Sequence, residues 1–125
     1  MRAIRGATTI EHNTAEEIYA ATKELFEEIL TQNEITDSEQ LTSVIITVTE
    51  DIFAAFPAKA VRETAGFELV PVMGMQEIPV PNSLSMCIRF MVFIDLHKPL
   101  AAINHVYLRG AKVLRPDLVK EEDAK

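Results

Sequence analysis

The stretch SMCIRFMVFIDL, residues 85–96, has the composition of a β-strand, yet it holds a full positive charge, Arg89, among apolar neighbours. Two-residue alternation puts Met86, Ile88, Phe90, Val92 and Ile94 on one face and Cys87, Arg89, Met91 and Phe93 on the other. A guanidinium cannot be buried cheaply without a partner, so Arg89 must meet a carboxylate, backbone carbonyls, an interface partner or an anionic ligand. An internal ion pair or a snorkelling edge residue is the ordinary fate of such an arginine. Arg5 in IRGATT precedes Gly6, which permits close backbone approach, and is a second candidate cation. Glu77 in GMQEIPV can act as counter-charge to either arginine or as a ligand contact. Lys59 and Arg62, three apart on one helical turn, can hold an anion together, although such pairs are commonly a solvated face. The hydroxyl of Tyr107, between Val106 and Leu108, needs a partner if buried. Arg115 in VLRPDL is the last candidate and sits close to the tail.

Other chemistries have no support in the residues. His12, His97 and His105 lack close metal-ligand spacing, and the single Cys87 cannot form a zinc knuckle or an internal disulfide. Cys87 lies on an apolar strand and reads as structural rather than nucleophilic. There is no phosphate-cradling glycine loop, dinucleotide fingerprint or nucleophile elbow. Arginines, one carboxylate and one phenol suit the binding and electrostatic stabilisation of an anion.

The elements that must position these groups can be read along the chain. At 125 residues and 48% hydrophobic content, one domain with its own core is expected. Nothing at the start reads as a secretory leader, and no apolar run suits a membrane span, so a reducing cytoplasm is the expected location. Net charge is −7, and seven glutamates against Lys23 between Glu11 and Glu34 carry most of it. That balance argues against broad nucleic-acid binding and leaves room for a local cationic pocket. MRAIRGATT reads as a first strand. Thr14 and Glu17 form a capping-box pattern that opens a long helix, whose apolar stripe runs through Ile18, Thr22, Leu25 and Ile29. LTSVIITVT reads as a central strand, buried on both sides or at an interface. Pro57 and Gly66 are expected to open and close a short helix. ELVPV reads as a third strand confined by Pro71 to an edge or a bulge, followed by the Arg89 strand and a fifth strand at HVYL. The fold class is therefore α/β or α+β, a mixed sheet with both helices on one face. The bare second face of such a sheet calls for self-association.

Taken in order and with their gaps, IRGATT, FPAKAVRE, MQE, CIR, HVYL and VLRPDL resemble the trimeric, monofunctional chorismate mutases of bacteria, from Arg2 to Leu118. The resemblance implies a mixed five-stranded sheet with two helices on one side, a homotrimer with a barrel-like core, and active sites between subunits. It implies a mutase domain over residues 1–118 and a flexible tail over 119–125. The implied reaction is the rearrangement of chorismate to prephenate, on the route to phenylalanine and tyrosine, with no cofactor and no metal. Arg89 then matches the donor to the ether oxygen, Arg5 and Tyr107 match positions that hold a substrate carboxylate, and Glu77 matches the residue facing the ring and its hydroxyl. Phe56, Lys59 and Arg62 match positions contributed by a neighbouring subunit, and Arg115 matches the arginine of the segment that closes the pocket. Met73 and Gly74 depart from the small polar residues of well-known members; the Gly74 N–H remains as a donor. Two alternatives use a similar arrangement: a non-catalytic trimeric metabolite sensor, and a reactive-intermediate deaminase with an interfacial arginine.

Overall fold

The computed structural model describes residues 1–114, so Arg115 and the tail over 119–125 lie outside the described residues. Five strands, β1 (Arg2–Thr9), β2 (Leu41–Val48), β3 (Val72–Gln76), β4 (Cys87–Ile94) and β5 (Val106–Tyr107), form one sheet in the order β3-β2-β4-β1-β5. β4 runs antiparallel to both β1 and β2, whereas β5 is parallel to β1 and β3 parallel to β2. The sheet is therefore mixed. Two helices, α1 (Ala15–Gln32) and α2 (Ala58–Arg62), complete the α+β architecture.

One face of the sheet makes the core. Ile4, Val44, Ile46, Ile88, Phe90, Val92 and Ile94 pack against Ile18, Leu25, Phe26 and Ile29 of α1, all of them buried. This is the helical stripe read from the sequence, and Gly6 lets it come close. A Cβ at Gly6 would stand 2.7 Å from Ile29 Cδ1 and 3.2 Å from Leu25 Cδ1. Thr14 caps α1 by accepting the Glu17 N–H at 3.2 Å, but the reciprocal half of the capping box is replaced. Glu17 Oε1 instead accepts from the backbone of Glu11 and His12, each at 3.2 Å, which ties the β1–α1 connection to the helix start.

Three expectations need correction. The third strand begins at Val72, not Glu68: Phe67 to Val70 closes as a turn through the Val70 N–H to Phe67 carbonyl bond, 3.3 Å. Ladder pairing starts only past Pro71, which has no N–H to give, although its carbonyl accepts from Val44 at 2.9 Å. The C-cap of α2 is Glu63, and Gly66 with φ of 90° serves the following turn. Of the two settings expected for β2, only burial on both sides fails within the chain: Ser43, Ile45 and Thr47 are half-buried and alternate with the buried Val44 and Ile46, which leaves the interface setting.

Candidate active site

The second face of the sheet assembles the charged groups, and strand register explains how. Thr47 on β2 pairs with Arg89 on β4, Arg89 with Ala7 on β1, and Ala7 with Tyr107 on β5. Four strands thus contribute one transverse row, with the small Ala7 leaving room between the arginine and the phenol. Arg5 stands one same-face step along β1, opposite Met91. Together Arg5, Thr47, Arg89, Tyr107 and Leu114 line a cleft of about 450 Å³, within the range of small-molecule sites.

Glu77 enters this row from just beyond β3. Its backbone N–H extends the ladder to the Val48 carbonyl at 2.8 Å, and its carboxylate accepts the Thr47 hydroxyl at 3.0 Å. Arg89 Nε lies 2.5 Å from Glu77 Oε1; the contact is ionic, because the buried Nε–H is not aligned on an acceptor. Arg89 is 39% exposed and Glu77 17%, so the pair is anchored at its carboxylate end and open at its guanidinium end. An arginine has five N–H donors, and a contact at Nε leaves the outer fork for a ligand. Arg5 has no ion-pair partner among the described residues.

One same-face step along β4 from Arg89, Cys87 packs with Ala7, Tyr107 and Ala111 in a small buried cluster. Burial pushes its thiol up to about 11, against the opposing pull of the Arg89 guanidinium, so it is neutral at ordinary pH. Among the described residues no group of three or more His, Cys, Asp or Glu side chains could hold a metal ion, and no helix is long and apolar enough to cross a membrane.

The remaining sequence candidates lie elsewhere. Phe56, Arg62 and Gly74 line a second and larger cleft of about 920 Å³, beside Tyr19, Val48 and Val72 on the helical side of the β2–β3 edge. Alternation along β3 separates Met73 from Gly74: Met73 pairs beside Ile45 on the open face and Gly74 beside Ile46 on the helical one. The two residues therefore do not form one subsite within a chain. Lys59 does not join Arg62. Its ammonium sits 3.7 Å from Glu63 Oε1 and 5.2 Å from the Tyr19 ring centroid. Sequence reading missed Thr47, which orients Glu77, and also Thr49 and Asp51; the signal available was polar residues at alternate positions in TVTED.

Comparison with known proteins decides the family. The model of chorismate mutase type I matches residues 1–118. The chain belongs to the type I chorismate mutase family. It is 48% identical over 118 residues to the chorismate mutase AroH of Bacillus subtilis, covering 94% of this chain and 92% of that protein. The chorismate mutase AroH of Thermus thermophilus is 47% identical over 118 residues, covering 94% and 96% respectively. A solved chorismate mutase from Clostridium thermocellum superimposes with a TM-score of 0.87 at 47% identity, covering 90% of this chain and 99% of that one. The sheet order and two helices thus belong to a mutase fold, and these matches do not favour the sensor or deaminase alternatives. Family membership makes the chain an isomerase of aromatic amino-acid biosynthesis.

Proposed function

We propose that the Arg89 row converts chorismate to prephenate by electrostatic stabilisation and conformational restraint. In this intramolecular rearrangement the ether C–O bond breaks ahead of full C–C bond formation, and negative charge gathers on the ether oxygen. A donor fixed at that oxygen stabilises the transition state more than the ground state. Arg89 is that donor. The observation carrying the assignment is its place in the middle of the row, paired through Nε with Glu77 and open to the cleft. Lysine would supply charge without the planar fork.

Arg5 and Tyr107, on the same side of the sheet, hold a substrate carboxylate, and Glu77 faces the electron-poor ring while orienting Arg89. Holding the flexible enolpyruvyl side chain over the ring in a reactive chair lowers the entropic part of the barrier. No proton transfer or covalent intermediate is needed, so a histidine base has no role.

A homotrimer completes the site. Phe56 is 82% exposed although large and apolar, and Phe53, Met73, Met75, Ile78 and Val80 are exposed with it. So many large apolar side chains left in solvent are normally covered by association. In this reading Phe56, Lys59 and Arg62 of one subunit face the Arg89 row of the next, with the Gly74 N–H near the ring hydroxyl and Arg115 closing the cleft. The free, buried Cys87 suits a reducing cytoplasm.

Loss of chorismate absorbance with the purified protein, with acid conversion of the product to phenylpyruvate, tests this directly. Turnover is expected from the native protein and not from Arg89→Ala. Tight chorismate binding without turnover would refute it in favour of a sensor.

A further inference from the structure

A cluster beside the site, used by none of the chemistry above, fixes the strand that carries Arg89. Met86, the residue before β4, has a φ of 50°, in the left-handed region that bulky side chains avoid. Its N–H is received by both Asp51 carboxylate oxygens, at 3.1 and 3.0 Å. The Thr49 hydroxyl donates to Asp51 Oδ1 at 2.5 Å and its oxygen accepts the Cys87 N–H at 3.0 Å. Backbone bonds complete the junction: Thr49 N–H to the Cys87 carbonyl at 3.1 Å, and Ile10 N–H to the Met86 carbonyl at 2.9 Å. Arg89 follows Cys87 by two residues, on the same face. Glu77 hangs from the same end of β2 through the Val48 carbonyl.

We propose that Asp51 is a positioning residue for Arg89: its carboxylate locks the turn at Met86 and so sets where the guanidinium meets Glu77 and the ligand. A carboxylate is suited to this because both of its oxygens can receive the one Met86 N–H while Oδ1 also accepts the Thr49 hydroxyl, whereas an amide offers one acceptor oxygen and would set its NH2 group against that N–H. Strain at Met86 is tolerated because the surrounding bonds over-determine it. Thr49 relays the lock to Cys87. The inference rests on the assignment of Arg89 to the chemistry above.

Asp51→Asn preserves shape and should fold, even if Asp51→Ala does not. Its kcat is expected to fall about tenfold to 100-fold, the usual consequence of a small misplacement of a catalytic group, with KM nearly unchanged and the thermal midpoint close to wild type. Thr49→Ser should retain more kcat than Thr49→Val, because it keeps the hydroxyl. Cys87, the only cysteine, should react faster with a thiol reagent in Asp51→Asn at equal global stability. An Asp51→Asn enzyme with wild-type kcat, or one whose loss of activity merely follows its loss of folded protein, would overturn the proposal. A wild-type protein without turnover would sink the functional reading instead. Thiol labelling and the Arg89 to Glu77 separation in an Asp51→Asn crystal structure then judge the positioning independently.

Discussion

The Arg89 row and the α2–β3 surface differ in how far a single chain finishes them. The row is centred on interior strands: Arg89 stands between Thr47 and Ala7 in the ladder, Glu77 is bonded at both backbone and carboxylate, and Cys87 beside it is buried. On the other surface, Phe56 just before α2, Arg62 at the end of that five-residue helix and Gly74 on the edge strand β3 are all exposed. On the proposed reading, charge that must meet a developing oxyanion is preorganised inside one subunit, where reorganisation at the moment of reaction is smallest. The same reading leaves the groups that enclose the substrate to a neighbour.

Substitutions can break this contrast. The largest effect is expected for Arg89→Lys, with kcat falling about 100- to 1,000-fold as for removal of one transition-state donor and the circular dichroism spectrum unchanged. Arg62→Ala should act mainly on binding, raising KM about tenfold, equivalent to ~1.4 kcal/mol, with little change in kcat; equal modest losses in both variants would erase the division of roles. Gly6→Ala sharpens the comparison from the helical side. Its new methyl presses on Ile29 and Leu25, and denaturant unfolding should show a loss of about 1 to 2 kcal/mol.

Cys87 gives the smallest effect, absent at neutral pH. The folded thiol keeps its proton up to about 11, whereas its reference value is 9.0. Between these values the unfolded chain binds fewer protons, so stability falls as pH rises through that window and is unaffected below it. Equilibrium unfolding of Cys87→Ala across the same range should show a flatter decline.

Much of this was legible in the residues because periodicity speaks directly. The α1 stripe, the alternation around Arg89 and the capping threonine all appear in the structure. Assignment of β3 to ELVPV failed because β-branched residues do not reveal that Phe67 to Val70 closes on itself before Pro71. At the site, the sequence marked Arg89, Arg5 and Glu77 as charges in need of partners. It could not show that Thr47, Arg89, Ala7 and Tyr107 share one row, since register between strands distant in sequence is set by tertiary packing. The Asp51 lock was hidden for the same reason: Asp51 and Met86 are far apart in the chain and meet only through the β2–β4 pairing.

The most direct test of the central claim, a charged half-site in one subunit completed by its neighbour, is complementation between Arg89→Ala and Arg62→Ala chains assembled together from equal amounts. At chorismate concentrations well below KM, Arg89→Ala alone should be nearly inactive and Arg62→Ala alone should keep about a tenth of the wild-type rate, as its roughly tenfold higher KM dictates. Random mixed trimers should recover roughly a quarter of the wild-type activity, because that share of sites pairs an intact Arg89 with an intact Arg62. Activity no greater than the average of the two separate variants would mean that both residues serve the same subunit's site, and would contradict the account.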